Sequence, residues 1–118
     1  MDNKHYTKYE IEPIEFMVPN KLSFIEGNII KYICRAEDKG TKNQDIDKAI
    51  HYFDLHDTYC DCSDFDLRKM NTDDAVQFIN QFTTWQKVAI SLAISYFHTH
   101  NYIMKATLIE FLKSQKDV

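Results

Sequence analysis

Three polar side chains in the first third of the chain are spaced so that they share one face of a helix. Asn28, Lys31 and Arg35 follow one another at steps of three and four, which is the spacing of neighbours on a helix surface. Arginine can bind two phosphate oxygens through its planar guanidinium, and lysine adds a compact positive charge. The stripe is therefore a candidate phosphate-binding site, and the alternative is an ordinary solvated helix surface.

A second stripe with similar spacing follows in the next predicted helix. It consists of Asp45, Lys48 and Tyr52, and Lys39 lies between the two stripes. If the two helices pair as an antiparallel hairpin, the stripes come together and form a charged groove. The alternative is a ladder of interhelical ion pairs, which are common on surfaces and contribute little stability.

The N-terminal segment offers acid–base groups and an aromatic ring that can stack. His5 and Tyr6 precede Glu12 and Glu15, and the two carboxylates have the spacing to share a helical face. A solvated acidic first turn is the alternative for that carboxylate pair.

Metal and nucleotide motifs are weak in the sequence. Cys60 and Cys62 are separated by a single residue, whereas zinc-binding cysteines normally have a wider spacing and a second pair of ligands. No Glu-x-x-Glu pair recurs on a second helix to form a Mg²⁺ site. The sequence has no P-loop, dinucleotide-binding fingerprint or nucleophile elbow. We therefore expect no metal and no other cofactor.

Helices must position these residues, and the sequence predicts six of them. Glycine and proline are scarce, with 2 of each, which argues against the frequent tight turns of a β-sandwich or barrel. The predicted order is a short helix over about 13–18, a helical hairpin over about 23–56, an acidic linker over 57–71 and a three-helix half over about 72–115. We predict an all-α fold in one compact domain, residues 1–118.

Local signals support the hairpin. Ser23 and Glu26 form a capping-box pattern at the start of its first helix. Gly27 lies inside that helix, which suggests that another helix or a ligand approaches its backbone. Gly40 suits a left-handed backbone conformation in the connection. The predicted buried faces are periodic, with Ile25, Ile29, Tyr32, Ile33 and Ala36 in the first helix and Ile46, Ala49, Ile50 and Phe53 in the second.

The C-terminal half shows three apolar patterns. Val76, Ile79 and Phe82 are the predicted buried side of its first helix. The helix from Trp85 to Phe97 has little polar surface, so we expect it to be central or to lie in a subunit interface. In the last helix, Ile103, Met104, Leu108, Phe111 and Leu112 share one side, and Lys105, Lys113 and Lys116 are available for solvent.

Composition restricts the function classes. The 118 residues include 14 Lys+Arg and 18 Asp+Glu, for a net charge of −4, which makes general DNA binding unlikely because phosphates attract basic proteins. No apolar run is long enough to span a bilayer, and the first residues lack the apolar segment of a signal peptide. Three cysteines, Cys34, Cys60 and Cys62, do not form a disulfide framework. We expect a cytoplasmic protein with reduced thiols.

Several short motifs together resemble a known family. They are His5-Tyr6, Ile11-Glu12-Pro13-Ile14-Glu15, Glu26-Gly27-Asn28-Ile29-Ile30-Lys31-Tyr32, Arg35-Ala36, Lys39-Gly40, and Asp45, Lys48-Ala49 and Tyr52. Over residues 5 to about 55 the chain resembles the SaV-like family of small tailed-phage proteins, long labelled a domain of unknown function.

The resemblance implies a nucleotide site. One phage member of that family is an oligomeric deoxynucleoside monophosphate kinase that needs neither a P-loop nor a metal. The matching residues Asn28, Lys31, Arg35, Asp45, Lys48 and Tyr52 would then form the functional core, with His5 and Tyr6 closing over it. In a kinase, Lys31, Arg35, Lys39 and Lys48 would stabilise the transferring phosphoryl group. His5 or Asp45 would orient the acceptor.

A non-catalytic function is the alternative. Residues 57–118 lie outside the resemblance, and 72–118 could serve as an oligomer interface or bind a host defence or replication protein. Sequestering a nucleotide signal is a related possibility. In either case we expect a homo-oligomer in the cytoplasm of an infected bacterial host, with no membrane partner.

Overall fold

The computed structural model describes residues 10–38, 40–59, 61 and 63–118, and within them the protein is all-α, as predicted. Six α-helices follow one another, with a 3-10 turn at Leu67–Lys69 and no strand among the described residues: α1 Pro13–Met17, α2 Phe24–Arg35, α3 Lys42–Tyr59, α4 Thr72–Ile79, α5 Thr84–Thr99 and α6 Tyr102–Ser114. No helix in the described ranges has the length and apolar character needed to cross a membrane.

The hairpin α2–α3 is built from the signals that its sequence carries. Ser23 and Glu26 form the capping box, each accepting a hydrogen bond from the other's backbone N–H at 3.1 and 2.9 Å. Gly40 has a φ of 68° in the connection, a left-handed conformation that glycine adopts without steric cost. The predicted apolar faces of the two helices are buried, except that Tyr32 and Ile50 are only partly so.

Helix α5 is the centre of the molecule. It contacts α2, α4, α6 and the 3-10 turn, and its apolar side chains Ala89, Ile90, Ala93, Ile94 and Phe97 are buried. Gln86 of α5 is 2% exposed and donates to the carbonyls of Ile33 and Cys34 at 2.8 and 3.1 Å. The Ile33 carbonyl also accepts from the Ala36 backbone N–H at 3.4 Å. Gln86 therefore adds to the hydrogen bonding of the carbonyl groups at the C-terminal end of α2.

Two predicted faces in the C-terminal half are wrong in part: Phe82, Leu108 and Leu112 are buried as predicted, whereas Val76, Ile103 and Lys105 are not placed as predicted. Helix α4 buries Ala75 and Phe78, and Phe82 follows beyond its end, whereas Val76 is 50% exposed. The small alanine lets the helix approach its neighbours closely, so the buried face is rotated by one residue. In α6, Lys105 is only 8% exposed, because it pairs with Asp57 of α3, while Ile103 is 79% exposed.

The acidic segment is packed more closely than a linker. Helix α3 continues to Tyr59, beyond the predicted end at about His56. Asp61 accepts a hydrogen bond from the backbone N–H of Ile25 at 2.9 Å, and Phe65 is 7% exposed within the core. The polar residues around Phe65 therefore make specific contacts with α2 while its ring packs inside.

Candidate functional site

Three side-chain pairs show the antiparallel register of α2 and α3. Arg35 lies opposite Asp45, Tyr32 opposite Tyr52, and Glu26 opposite His56. The first two pairs bring together the two stripes identified in the sequence. They form a strip of the hairpin, which we call the α2–α3 face: Asn28, Lys31, Tyr32, Arg35, Asp45, Lys48 and Tyr52. Lys31 and Lys48 are its exposed residues, and Asp45 is buried.

The Arg35–Asp45 pair connects α2 and α3 at one end of the α2–α3 face. Arg35 Nε lies 3.9 Å from Asp45 Oδ1, and Asp45 Oδ2 accepts a hydrogen bond from the Thr41 hydroxyl at 2.9 Å. The Asp45 side chain is 1% exposed and that of Arg35 is 38% exposed. Since Arg35 Nε has no hydrogen-bond partner among the described residues, the guanidinium is held by charge and not by a bidentate contact.

Two lysines converge on one aromatic ring in the middle of the face. The Nζ atoms of Lys31 and Lys48 lie 5.4 and 5.3 Å from the centroid of the Tyr32 ring, within cation–π range. Tyr52 stacks on Tyr32 with ring centroids 5.7 Å apart and planes 17° apart. Both lysines are exposed, so each places its positive charge within reach of the same ring and of solvent.

Asn28 is less directly placed. It lies on the same side of α2 as Lys31, but its Nδ2 donates to the Phe24 carbonyl one turn earlier at 2.8 Å. A bond within the helix occupies one of its donors and leaves the side-chain oxygen available. His5, Tyr6 and Lys39, the other predicted site residues, lie outside the described residues.

A buried polar pair beneath the face was missed from the sequence. Glu26 is 0% exposed, and its Oε1 accepts from the Ser63 hydroxyl at 2.5 Å in addition to its capping bond. Its Oε2 lies 4.0 Å from His56 Nε2. The signal was present, because Glu26 falls on the apolar side of α2 beside Ile29 and Ile30, but the capping box already accounted for it.

The predicted carboxylate pair of the N-terminal segment and two histidines at the end of α5 have structural roles. Glu12 and Glu15 form a capping box at the start of α1. His98 Nδ1 accepts from the backbone N–H of Leu67 at 3.3 Å, and His100 ends α5 with a φ of 54°. Cys60 and Cys62 are not among the described residues, and no group of three or more metal-ligating side chains occurs in the part of the chain that is described.

The α2–α3 face can bind an anion and lie against a flat ring. Three cations, Lys31, Arg35 and Lys48, stand on it with one buried carboxylate, in a chain whose net charge is −4. A phosphate group and an attached ring match these cations and the Tyr32 ring chemically. A cavity of about 420 Å³ beside the α2–α3 turn is separate from the face, because its lining, which includes Glu37, Thr41 and Asp117, contains none of the residues of the face.

Residues 2–54 match the model of a protein family of unknown function, DUF3310. The match contains α1, α2 and most of α3, and with them the α2–α3 face. A search of curated proteins and a search of solved structures returned no match. The family description names no activity, so the resemblance to SaV-like phage proteins stays a prediction. Over residues 2–54, less than half of its length, the chain is thus similar to a family whose function is unknown.

Proposed function

We propose that the α2–α3 face binds a deoxynucleotide or a related phosphate ligand. The observation that carries this proposal is the convergence of Lys31 and Lys48 on the Tyr32 ring, 5.4 and 5.3 Å from its centroid. A phosphate group bound near the Tyr32 ring is attracted by both ammonium groups, because each carries a positive charge close to that ring. Arg35, one helical turn further along α2, supplies the next cation.

The distribution of charge supports the same ligand. Acidic residues outnumber basic ones, 18 to 14. Four lysines are paired with carboxylates: Lys42 with Glu37 and Asp117, Lys105 with Asp57, Lys113 with Glu110 and Lys116 with Asp47. Lys21, Lys69 and Lys87 have no ion pair among the described residues, and neither do Lys31 and Lys48. The Nζ atoms of Lys31 and Lys48 lie over the Tyr32 ring instead. Their charge is therefore available to a ligand.

A deoxynucleoside monophosphate kinase is the catalytic form of this proposal. The reaction would transfer the terminal phosphoryl group of a nucleoside triphosphate to a phosphate oxygen of the monophosphate, and give two diphosphates. Lys31, Lys48 and Arg35 would hold the phosphates and stabilise the charge of the transferring group. Asp45 is 1% exposed and engaged by Thr41, so within this proposal it orients Arg35, and His5 is the remaining candidate for the acceptor side.

Calorimetry with a panel of deoxynucleoside mono- and triphosphates tests the binding step. We expect Lys31→Ala, Lys48→Ala and Arg35→Ala each to weaken binding by roughly tenfold or more, since a hydrogen bond to a charged group contributes about 1.5–3 kcal/mol. Lys113→Ala is the matched control, because it removes an exposed lysine on α6 whose ion pair among the described residues is with Glu110 of its own helix. Equal affinity in all four variants would contradict the proposal.

The catalytic step needs a separate assay. Phosphoryl transfer is measured by separating labelled mono-, di- and triphosphates, with and without EDTA. Turnover that persists in EDTA and is lost in Arg35→Ala supports a metal-independent kinase. Binding without turnover supports a protein that sequesters a nucleotide.

Binding of a host protein through 72–118 is the second candidate function. The observation that favours it is the first turn of α6, where Tyr102 and Ile103 are 72% and 79% exposed. Large apolar side chains in such positions are typical of interface anchors. Capture of one host protein by the wild type and its loss in Ile103→Asp, with unchanged helical circular dichroism, would support this function. Equal capture by both proteins would exclude the α6 turn.

A further inference from the structure

The last residues of the chain are bound along the start of α3. Asn43 Nδ2 donates to the Asp117 carbonyl at 2.8 Å, and the Asp117 backbone N–H donates to Asn43 Oδ1 at 2.8 Å. The Asn43 amide thus pairs with both backbone polar groups of Asp117, which lies 74 positions away. This reciprocal pairing fixes the position of the backbone, whereas a single ion pair between flexible side chains does not.

Two ion pairs extend this contact over the first two turns of α3. Lys116 Nζ lies 2.8 Å from Asp47 Oδ1, and Lys42 Nζ lies 3.5 Å from Asp117 Oδ1. Asn43 and Asp47 are four positions apart, so they share one side of the helix. We call residues 115–118 the C-terminal strap.

The strap and the candidate site hold opposite sides of the same two turns. Asp45 follows Asn43 by two positions, which places it about 200° around the helix, and there it meets Arg35 at 3.9 Å and Thr41 at 2.9 Å. The start of α3 is therefore clamped between α2 on one side and the strap, which continues α6, on the other. Because Arg35 is held only by charge, its position depends on where α3 places Asp45.

We propose that the C-terminal strap positions the Arg35–Asp45 pair, and that Asn43 is the positioning residue through which it acts. The chain outside residues 2–54 would then contribute to the α2–α3 face without touching its ligand. The effect on ligand affinity rests on the proposed function, whereas the effect on Arg35 itself does not.

The Arg35 Nε–H signal in nuclear magnetic resonance spectra tests the proposal directly. Arg35 and Arg68 are the two arginines of the chain, and Arg68 is bound to Asp66 in the 3-10 turn, so its signal is an internal reference. We expect Asn43→Ala to shift or broaden the Arg35 signal and to leave that of Arg68 unchanged. Amide hydrogen exchange over residues 43–47 should rise by roughly threefold to tenfold, as expected for the loss of one or two hydrogen bonds.

Two further variants complete the experiment. Lys116→Ala removes only the ion pair with Asp47. It should change the Arg35 signal and the exchange rate in the same direction but by less, which keeps the test available if Asn43→Ala folds poorly. Lys113→Ala, which lies on α6 about one turn before Lys116, should change neither the Arg35 signal nor the exchange rate of residues 43–47. If the Arg35 signal and the exchange rate of residues 43–47 stay the same in both Asn43→Ala and Lys116→Ala, the proposal is overturned.

Ligand titration separates this proposal from the proposed function. With a deoxynucleoside monophosphate as the probe, Asn43→Ala should raise the dissociation constant about threefold to tenfold. If the wild type binds no nucleotide while the Arg35 signal still responds to Asn43→Ala, the proposed function fails and the positioning role stands. Unchanged affinity with a shifted Arg35 signal would show that the ligand does not use Arg35.

Discussion

Cys34 is a thiol that the fold protects. Its side chain is 2% exposed at the end of α2, and burial, with a smaller contribution from the charge of Asp38, raises the pKa of the Cys34 thiol well above its usual range. Because the thiolate is the reactive form, we expect Cys34 to resist iodoacetamide at pH 8 in the folded protein and to react in urea. Peptide mapping by mass spectrometry measures both states, and rapid labelling of native Cys34 would contradict the buried position.

Asp66 is an acid whose pKa reports on the 3-10 turn. Hydrogen bonds from the Arg68 guanidinium, and then from the Arg68 backbone N–H, lower the pKa of Asp66 from 3.8 to about 2. Since the pKa is lower in the folded chain, the stabilisation is complete above about pH 4 and is lost as the pH falls toward 2. We expect Arg68→Ala to raise the pKa toward 3.8 in a carboxyl-carbon titration.

Lys69→Ala is the control for the Asp66 titration, because Lys69 lies in the same exposed turn without an ion pair to Asp66 among the described contacts. The Asp66 pKa should stay near 2 in this variant. An equal rise in both variants would mean that general charge, and not the Arg68 contact, sets the value.

Individual residues of the site were predictable where their spacing carried the signal. The i, i+3 and i+4 pattern placed Lys31, Arg35, Asp45 and Lys48 correctly on facing helices. It could not place Tyr32 under two ammonium groups, because that contact depends on how far α3 lies from α2. Glu26 and His56 were missed for a similar reason, since a buried polar pair depends on two helices at once.

The helix α2 carries a glycine that is open to substitution. A Cβ atom on Gly27 would lie 3.7 Å from the Met17 side chain of α1, which is ordinary contact. Alanine has a higher helix propensity by about 0.5–1 kcal/mol, so we expect Gly27→Ala to raise the free energy of unfolding by up to that amount in urea denaturation. A loss of stability would mean that α1 packs more tightly than this distance indicates.

Gly40 provides the matched comparison. A Cβ atom there would meet nothing within 4 Å, but its φ is 68°. An L-residue in this conformation costs about 1–2 kcal/mol, so Gly40→Ala should destabilise the protein. Comparing Gly27→Ala with Gly40→Ala therefore distinguishes the effect of helix propensity from that of backbone strain in the same hairpin.

Whole elements were predictable when their faces were uniformly apolar. The stripes of α2 and α3 are continuous, and both helices formed as expected. In α4 the apolar residues Ala75, Val76, Phe78 and Ile79 form one wide side of the helix. The buried part of that side contains Ala75, whose small size matters only once a neighbour approaches. Lys105 was assigned to solvent because a buried lysine needs a partner, and that partner, Asp57, lies 48 positions away.

Gln86 joins the two halves of the molecule. It donates to the last carbonyls of α2 and caps the first turn of α5 through the Thr83 backbone N–H at 3.0 Å. Removing it takes one hydrogen bond from each of two carbonyl groups at the buried end of α2, although Ile33 keeps the bond from the Ala36 N–H. We therefore expect Gln86→Ala to lower the free energy of unfolding by about 1–3 kcal/mol. Gln77→Ala, an exposed glutamine on α4, should change stability by less than about 0.5 kcal/mol.

The shared core also determines how the whole molecule unfolds. Residues of α2, α3, α5 and α6 are buried in one cluster, so urea denaturation followed by circular dichroism and by Trp85 fluorescence should give coincident transitions. Two separated transitions would mean that the hairpin and the C-terminal half are independent units.

The central position of α5 determines how the apolar surface of the hairpin is covered. The hairpin buries Ile30 and Ile33 completely, and α5, which packs on α2, lies outside the region that matches DUF3310. A chain that inherits this hairpin must cover the same apolar surface, whether with an unrelated helix or with a second subunit. The α2–α3 hairpin is therefore not self-contained, because its apolar side stays away from water only while a helix such as α5 packs against it.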